Sequence, residues 1–221
     1  MNFLDIDDRI NFKTIKLKVG EEYETAWKEI ITIVSWKINQ ILTNNELKTF
    51  ESSLFYKWNK FKAVEDSIFT VVGISDEINH NNVDVEEDFW DFCRKNWTSV
   101  YEAYWVLEGT DLYKSDVIDY EFNWVKYKSN YWFCWKNVDC WMHNEHEFVE
   151  IHTSILWDGR MEKFKENDEF TLLEQVNMRP WLSHRPFNKI WEFDKGWNPI
   201  YPYHRWKWNE KWDIWLVIEK Y

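Results

Sequence analysis

The chain has 221 residues, 45% hydrophobic and 20% aromatic with four prolines, which is enough to bury one large core or two small ones and excludes a disordered chain. A formal net charge of −12 is spread along its length, so the field repels a phosphate backbone and nucleic acid is not an expected partner. Cys93, Cys134 and Cys140 are odd in number and follow no framework spacing, which fits a reducing compartment better than a disulfide scaffold.

The opening MNFLDIDDRINFK carries acids where a secretory signal needs a basic and then an apolar region, and no later apolar run approaches the roughly 20 residues of a membrane span. A cytoplasmic protein without membrane contact is expected. Strands come next in chain order: FKTIKLKV, EIITIVS and SIFTVVGI are short, rich in Ile, Val, Phe and Thr, and partly alternate with polar residues. DVEEDFWDFCRKNW, from Asp84, reads as a helix, with acids in its first turn, Arg94 and Lys95 in its last, and Val85, Phe89, Phe92 and Cys93 near helical spacing. Beyond it EFVEIHTSI and IWLVIE are strands again. The pattern predicts an all-β chain in two halves, 1–80 and 98–221, joined by a short helical connector over 81–97.

The halves share a spacing. Glu22, Glu24, Glu29 and Trp36 in the first fall at the same intervals as His143, Glu145, Glu150 and Trp157 in the second. Trp58 is followed three positions later by Phe61, and Trp181 three positions later by His184. With similar flanking strands, this favours an internal duplication.

These residues resemble the cupin superfamily. Its first motif has two metal-binding histidines, a glutamate, and a glycine seven positions after the glutamate. Its second has a proline and glycine, a histidine three positions after that glycine, and an asparagine four positions further on. Glu150 with Trp157, and Pro180, Trp181, His184 and Asn188 in RPWLSHRPFN, reproduce the intervals with tryptophan in both glycine places. The resemblance covers about residues 10–75 and 98–221. It implies a bicupin: two tandem antiparallel β-barrels, each a double-stranded β-helix. It also implies a divalent ion, Fe, Mn, Ni or Zn, held by His143, His146, Glu150 and His184.

The motif places its second histidine at Glu145, so His146 reaches the site only through a bulge or turn. The first half has no histidine at the matching positions and is expected to be a metal-free structural barrel.

Imidazoles and a carboxylate suit divalent first-row metals, and open coordination positions admit substrate or oxygen. On the strand after His146, Phe148, Glu150 and His152 share one face. His152 or Glu145 is the expected proton-moving base. Taken singly, His80, His152 and His204 read as ordinary hydrogen-bonded histidines. Cys134, Cys140, His143 and His146 form an alternative zinc set, though the cysteines are too widely spaced for the usual structural site. Arg205 beside His204, or Arg160, Arg179 or Arg185, can clamp an anionic substrate group, and each reads equally as a solvated charge.

There are 18 tryptophans and 5 glycines, where roughly 7% glycine, about 15 residues, is ordinary. Trp36 and Trp157 stand where a strand should turn, Trp58 and Trp181 precede the second-motif position, and Trp124, Trp132, Trp135, Trp141, Trp191, Trp197, Trp208 and Trp212 lie in polar, loop-like surroundings. Either the chain carries an aromatic surface for stacking on sugars or nucleobases, or UGA codons read as tryptophan are glycine in the cell of origin. Tryptophan at glycine positions predicts strained turns.

The functional expectation is a metal-dependent enzyme on a small oxygenated, sugar- or acid-like substrate, by isomerisation or oxygenation. The alternative is a non-catalytic small-ligand-binding bicupin module. A third reading is a scaffold that forms a homo-oligomer through its barrel faces.

Overall fold

A computed structural model describes residues 6, 9–41, 43, 45–76, 78, 84–100, 111–136, 138–156, 159–189, 192–207 and 212–221, with nothing said of the side chains of 84–86. His80, Trp157, Trp191 and Trp208 lie outside the described residues. In chain order come β1 (Ile10–Leu17), β2 (Glu22–Glu24), β3 (Lys28–Ser35), β4 (Ile38–Gln40), β5 (Glu46–Leu47), β6 (Ser52–Phe55), β7 (Lys60–Ala63) and β8 (Ser67–Ile74). Helix α1 (Asp84–Asn96) follows. Then come β9 (Thr98–Ser99), β10 (Leu112–Lys114), β11 (Ile118–Phe122), β12 (Val125–Cys134), β13 (Val149–Ser154), β14 (Gly159–Phe164), β15 (Leu172–Met178), β16 (Tyr203–Lys207) and β17 (Asp213–Lys220).

Strand pairing among these elements stays within each half. The first half has sheets ordered β1-β8-β3-β6 and β2-β7-β4-β5. The second has β13-β17-β12-β10-β9, with β11 on β12, and β15-β14-β16. No helix among the described residues is long and apolar enough to cross a membrane.

Three cores explain why some strands are apolar throughout. Ile31, Ile33, Phe69 and Val71 point between the two sheets of the first half. Met161, Trp206, Trp215 and Val217 do the same in the second. The intervening residues Ile30, Val34, Ile68, Val72, Ile214, Leu216 and Ile218 form a third core between the halves. β3, β8 and β17 are thus covered on both faces and lose the alternation that a half-exposed strand shows. Phe89 and Cys93 of α1 enter this shared core. There the Thr32 and Thr153 hydroxyls lie 3.3 Å apart, separated by the same 121 residues that separate Glu29 from Glu150.

β14 and β15 carry no Val/Ile-rich signal, because β15 is almost wholly exposed and its partner alternates charged with apolar residues.

Two groups of tryptophans stand apart among the described residues. Trp206, Trp212 and Trp215 are 1–3% exposed. Trp36, Trp58, Trp124, Trp181 and Trp197 instead have φ between 66° and 73°, and among the described residues only Phe50 and Asn123 join them as non-glycine residues at positive φ. Asn123 and Trp124 form the two-residue loop between the paired Phe122 and Val125, both at positive φ. That is the type I′ hairpin turn that Asn-Gly makes best. Leu182 N–H donates to the Arg179 carbonyl across Pro180 and Trp181, a type II turn in which the third residue is ordinarily glycine. The expected strain at turn tryptophans is present at these five positions.

Candidate metal centre

β13 carries the centre. Alternation sends Ile151 and Thr153 away, while Glu150 and His152 face a cavity of about 310 Å³ that Trp132, Trp206 and Trp215 also line. His143 pairs through backbone hydrogen bonds with His204 of β16, His143 N–H to His204 carbonyl 3.0 Å and the reverse 2.9 Å, which sets their ring centroids 4.5 Å apart. His146 arrives because the chain bends at Glu147 and Phe148 before β13 begins. That bend is the irregularity the one-residue slip in the motif required.

One ligand atom each from His143, His146, Glu150 and His204 lie within 4.8 Å of one another. His146 Nε2 is 3.4 Å and His204 Nε2 3.6 Å from Glu150 Oε1. His184 stands outside that group, with its Nε2 2.9 Å from His152 Nδ1. His152 Nε2 is 3.7 Å from Glu150 Oε2. All five described histidines therefore gather around one carboxylate.

Two histidines are set for metal by their outer nitrogens. His143 Nδ1–H donates to the Trp141 carbonyl at 2.9 Å, and His204 Nδ1–H to the Pro202 carbonyl at 3.0 Å. A carbonyl only accepts, so each ring is fixed as the tautomer with its Nε2 lone pair inward, the arrangement that metal-binding histidines show.

Burial pushes the His143 pKa down to about 4 and those of His184 and His152 to about 4 and about 3, and it lowers His146 as well. Burial would raise Glu150, but the imidazoles of His152, His146 and His204 outweigh it and hold the group well below the usual carboxylate range. At neutral pH the buried Glu150 carboxylate is thus ionised, with the neutral rings of His143, His146, His152 and His184 around it. Among the described residues no lysine or arginine pairs with it. The donor set fits a divalent first-row ion.

The first half shows the contrast. Glu29, 1% exposed, receives the Lys13 ammonium at 3.1 Å and the Tyr23 hydroxyl at 2.5 Å. Its carboxylate is neutralised by the chain itself, with no histidine among its partners in the described residues. Lys13→Met should lower stability by roughly 1–3 kcal/mol through the unpaired buried carboxylate. An unchanged urea midpoint would show that the pair contributes nothing.

Lowered imidazole pKa values set a pH dependence. The unfolded chain titrates near 6.5, so between about 6.5 and 4 it binds more protons than the fold, and stability falls as pH falls through that window. The melting temperature should hold above pH 7 and drop between pH 6 and 4. A flat profile there would contradict the buried, neutral rings.

Other expected residues fall elsewhere. Glu145 lines the cavity but is exposed. Arg205 is not a substrate clamp: it donates to Glu162 at 2.7 Å and Glu169 at 2.6 Å and pairs with Asp139 at 3.1 Å. It follows His204 on a strand, so it faces away from the cavity. Arg160 pairs with Glu162, and Arg179 and Arg185 are exposed. Cys134 and Cys140 join no metal-ligating group among the described residues, and burial raises both thiols away from the thiolate that zinc needs. Glu219, opposite Glu150 across β13 and β17, also lines the cavity, with its pKa raised by burial against the Tyr221 hydroxyl bond.

No family model and no curated protein matches the chain. Among solved structures it is similar to a cupin 2 conserved barrel domain protein from Leptotrichia buccalis, with a TM-score of 0.37 and 9% identity over 96% of this chain and 84% of that one. It is also similar to a variant of Bacillus subtilis oxalate decarboxylase, at 0.34 and 10% over 97% and 69%. A protein of unknown function from Pseudomonas syringae pv. tomato scores 0.34 at 10% over 98% and 84%. The chemistry rests on this chain's own residues.

Proposed function

We propose that the chain is a bicupin whose second half is a metal-dependent enzyme for a small oxygenated substrate, acting by isomerisation or oxygenation. The observation that supports it is the convergence of His143, His146, Glu150 and His204 within 4.8 Å. The fixed tautomers of His143 and His204 add to it. The Thr32–Thr153 contact at the shared 121-residue offset supports duplication.

A divalent ion supplies Lewis acidity and an open position for a substrate oxygen. Glu150 and the imidazoles bind it, and the Trp141 and Pro202 carbonyls hold two rings in place. The aromatic walls exclude water and limit the substrate to the small end of the ligand range. Glu219, with its raised pKa, is a group able to hold a proton beside the cavity, and Glu145 is an alternative base.

The second reading, a non-catalytic ligand-binding module, draws on Glu29, where the equivalent carboxylate is satisfied without metal. Elemental analysis of natively expressed protein separates them. Stoichiometric Fe, Mn, Ni or Zn that is lost in His204→Ala supports the enzyme. Metal-free protein of full thermal stability supports the module.

A further inference from the structure

We propose that His152 is a fifth protein ligand, bound on the Oε2 side of Glu150, and that His184 is the positioning residue that turns its lone pair inward. This rests on the metal reading above. The argument is a count of hydrogens. The Arg185 carbonyl can only accept, so His184 Nδ1, at 2.7 Å, carries the proton. Its Nε2 is then an acceptor, and it takes the His152 backbone N–H at 3.2 Å and the His152 Nδ1–H at 2.9 Å.

With its Nδ1–H given to His184, His152 turns Nε2 to Glu150 Oε2 at 3.7 Å, beyond hydrogen-bond distance. No proton joins these two acceptor atoms in the buried site. Turning the ring's proton to Nε2 moves the same conflict to His184. A cation between Nε2 and Oε2 removes it. The carbonyl-to-imidazole-to-imidazole chain then has the form of an outer shell that orients a metal ligand.

The test uses the full chain loaded with Co(II), read by metal stoichiometry, affinity and visible absorption. One ion per chain is expected in the wild type. His152→Ala should keep an ion but change the absorption band, as a lower coordination number does. His184→Ala should weaken binding by about 10–100-fold. His184→Gln, whose side-chain oxygen accepts the Nδ1–H, should restore both affinity and spectrum. Unchanged affinity and spectrum in His152→Ala and His184→Ala, or two ions per wild-type chain, overturns this inference and leaves the four-residue centre standing. A wild type that takes up no metal overturns both.

The backbone carries a second inference independently. We infer that positions 36, 58, 124, 181 and 197 are glycine in the protein as its own cell makes it, each encoded by UGA. Among the described residues, five of the seven non-glycine residues at positive φ are tryptophan. Trp58, Trp124 and Trp197 are 65%, 94% and 81% exposed, so these indoles are not buried in a core that would hold them in that region. Trp124 and Trp181 occupy the glycine places of an Asn-Gly and a Pro-Gly turn. The deficit of glycine in composition agrees. Sequencing the gene and mass spectrometry of peptides from the source cells test it. UGA codons and glycine-bearing peptides at the five positions are expected, and UGG codons or tryptophan-bearing peptides there overturn it.

Discussion

Glu150→Gln is expected to abolish stoichiometric metal binding, a larger loss than the roughly 10–100-fold that follows removal of a supporting partner. The Glu150 carboxylate stands within 3.4–3.7 Å of His146 and His204 on one oxygen and of His152 on the other. Glutamine keeps the volume and can still hydrogen-bond, so the fold should survive. It removes the charge that draws a cation into an apolar cavity. The metal-free variant should unfold at or above the temperature of the metal-free wild type, because a buried uncompensated carboxylate has gone. Calorimetry with and without added Mn(II) reads both effects: the wild type should shift upward with metal and the variant should not. An equal upward shift in the two would contradict the assignment of Glu150.

The second large effect is in the turns. Replacing Trp36, Trp58, Trp124, Trp181 and Trp197 together by glycine should stabilise the fold. A side chain in the left-handed region costs about 1–2 kcal/mol, and glycine gives back roughly 0.5–1 kcal/mol through its freer unfolded chain. The net gain is about 0.5–1 kcal/mol per site, and separated turns add. Trp124→Gly alone should show it most cleanly, because its indole is 94% exposed and nothing is lost from the core. Trp212→Ala is the opposite control. That ring packs on Phe89 at 5.4 Å and Phe133 at 5.8 Å, and its loss should cost about 3–5 kcal/mol. Urea midpoints that fall for the five-site variant would show that the tryptophans fit their turns.

Much of the scaffold is written locally. β3, β8 and β17 announce themselves because burial on both faces demands unbroken Ile and Val, and α1 because its end charges match its dipole. β15 is silent because an exposed strand selects little but polarity, and β14 because its buried positions include a charged residue, Glu162, and few β-branched ones. At the site, His143 and Glu150 follow from motif spacing. His204 does not, because its place beside His143 is fixed by a bridge 61 residues long in sequence, which no local pattern records. His184 keeps the motif interval, yet its ring turns to His152. The strand period does contain one unused signal: in YHRWK, His204 and Trp206 must share a face, and Arg205 must point the other way.

The most direct measurement is an anomalous difference map from a crystal of the full chain soaked in Mn(II). A single peak is predicted at about 2.0–2.3 Å from His143, His146, Glu150 and His204. No peak there, or one that those four side chains do not surround, would contradict the metal centre.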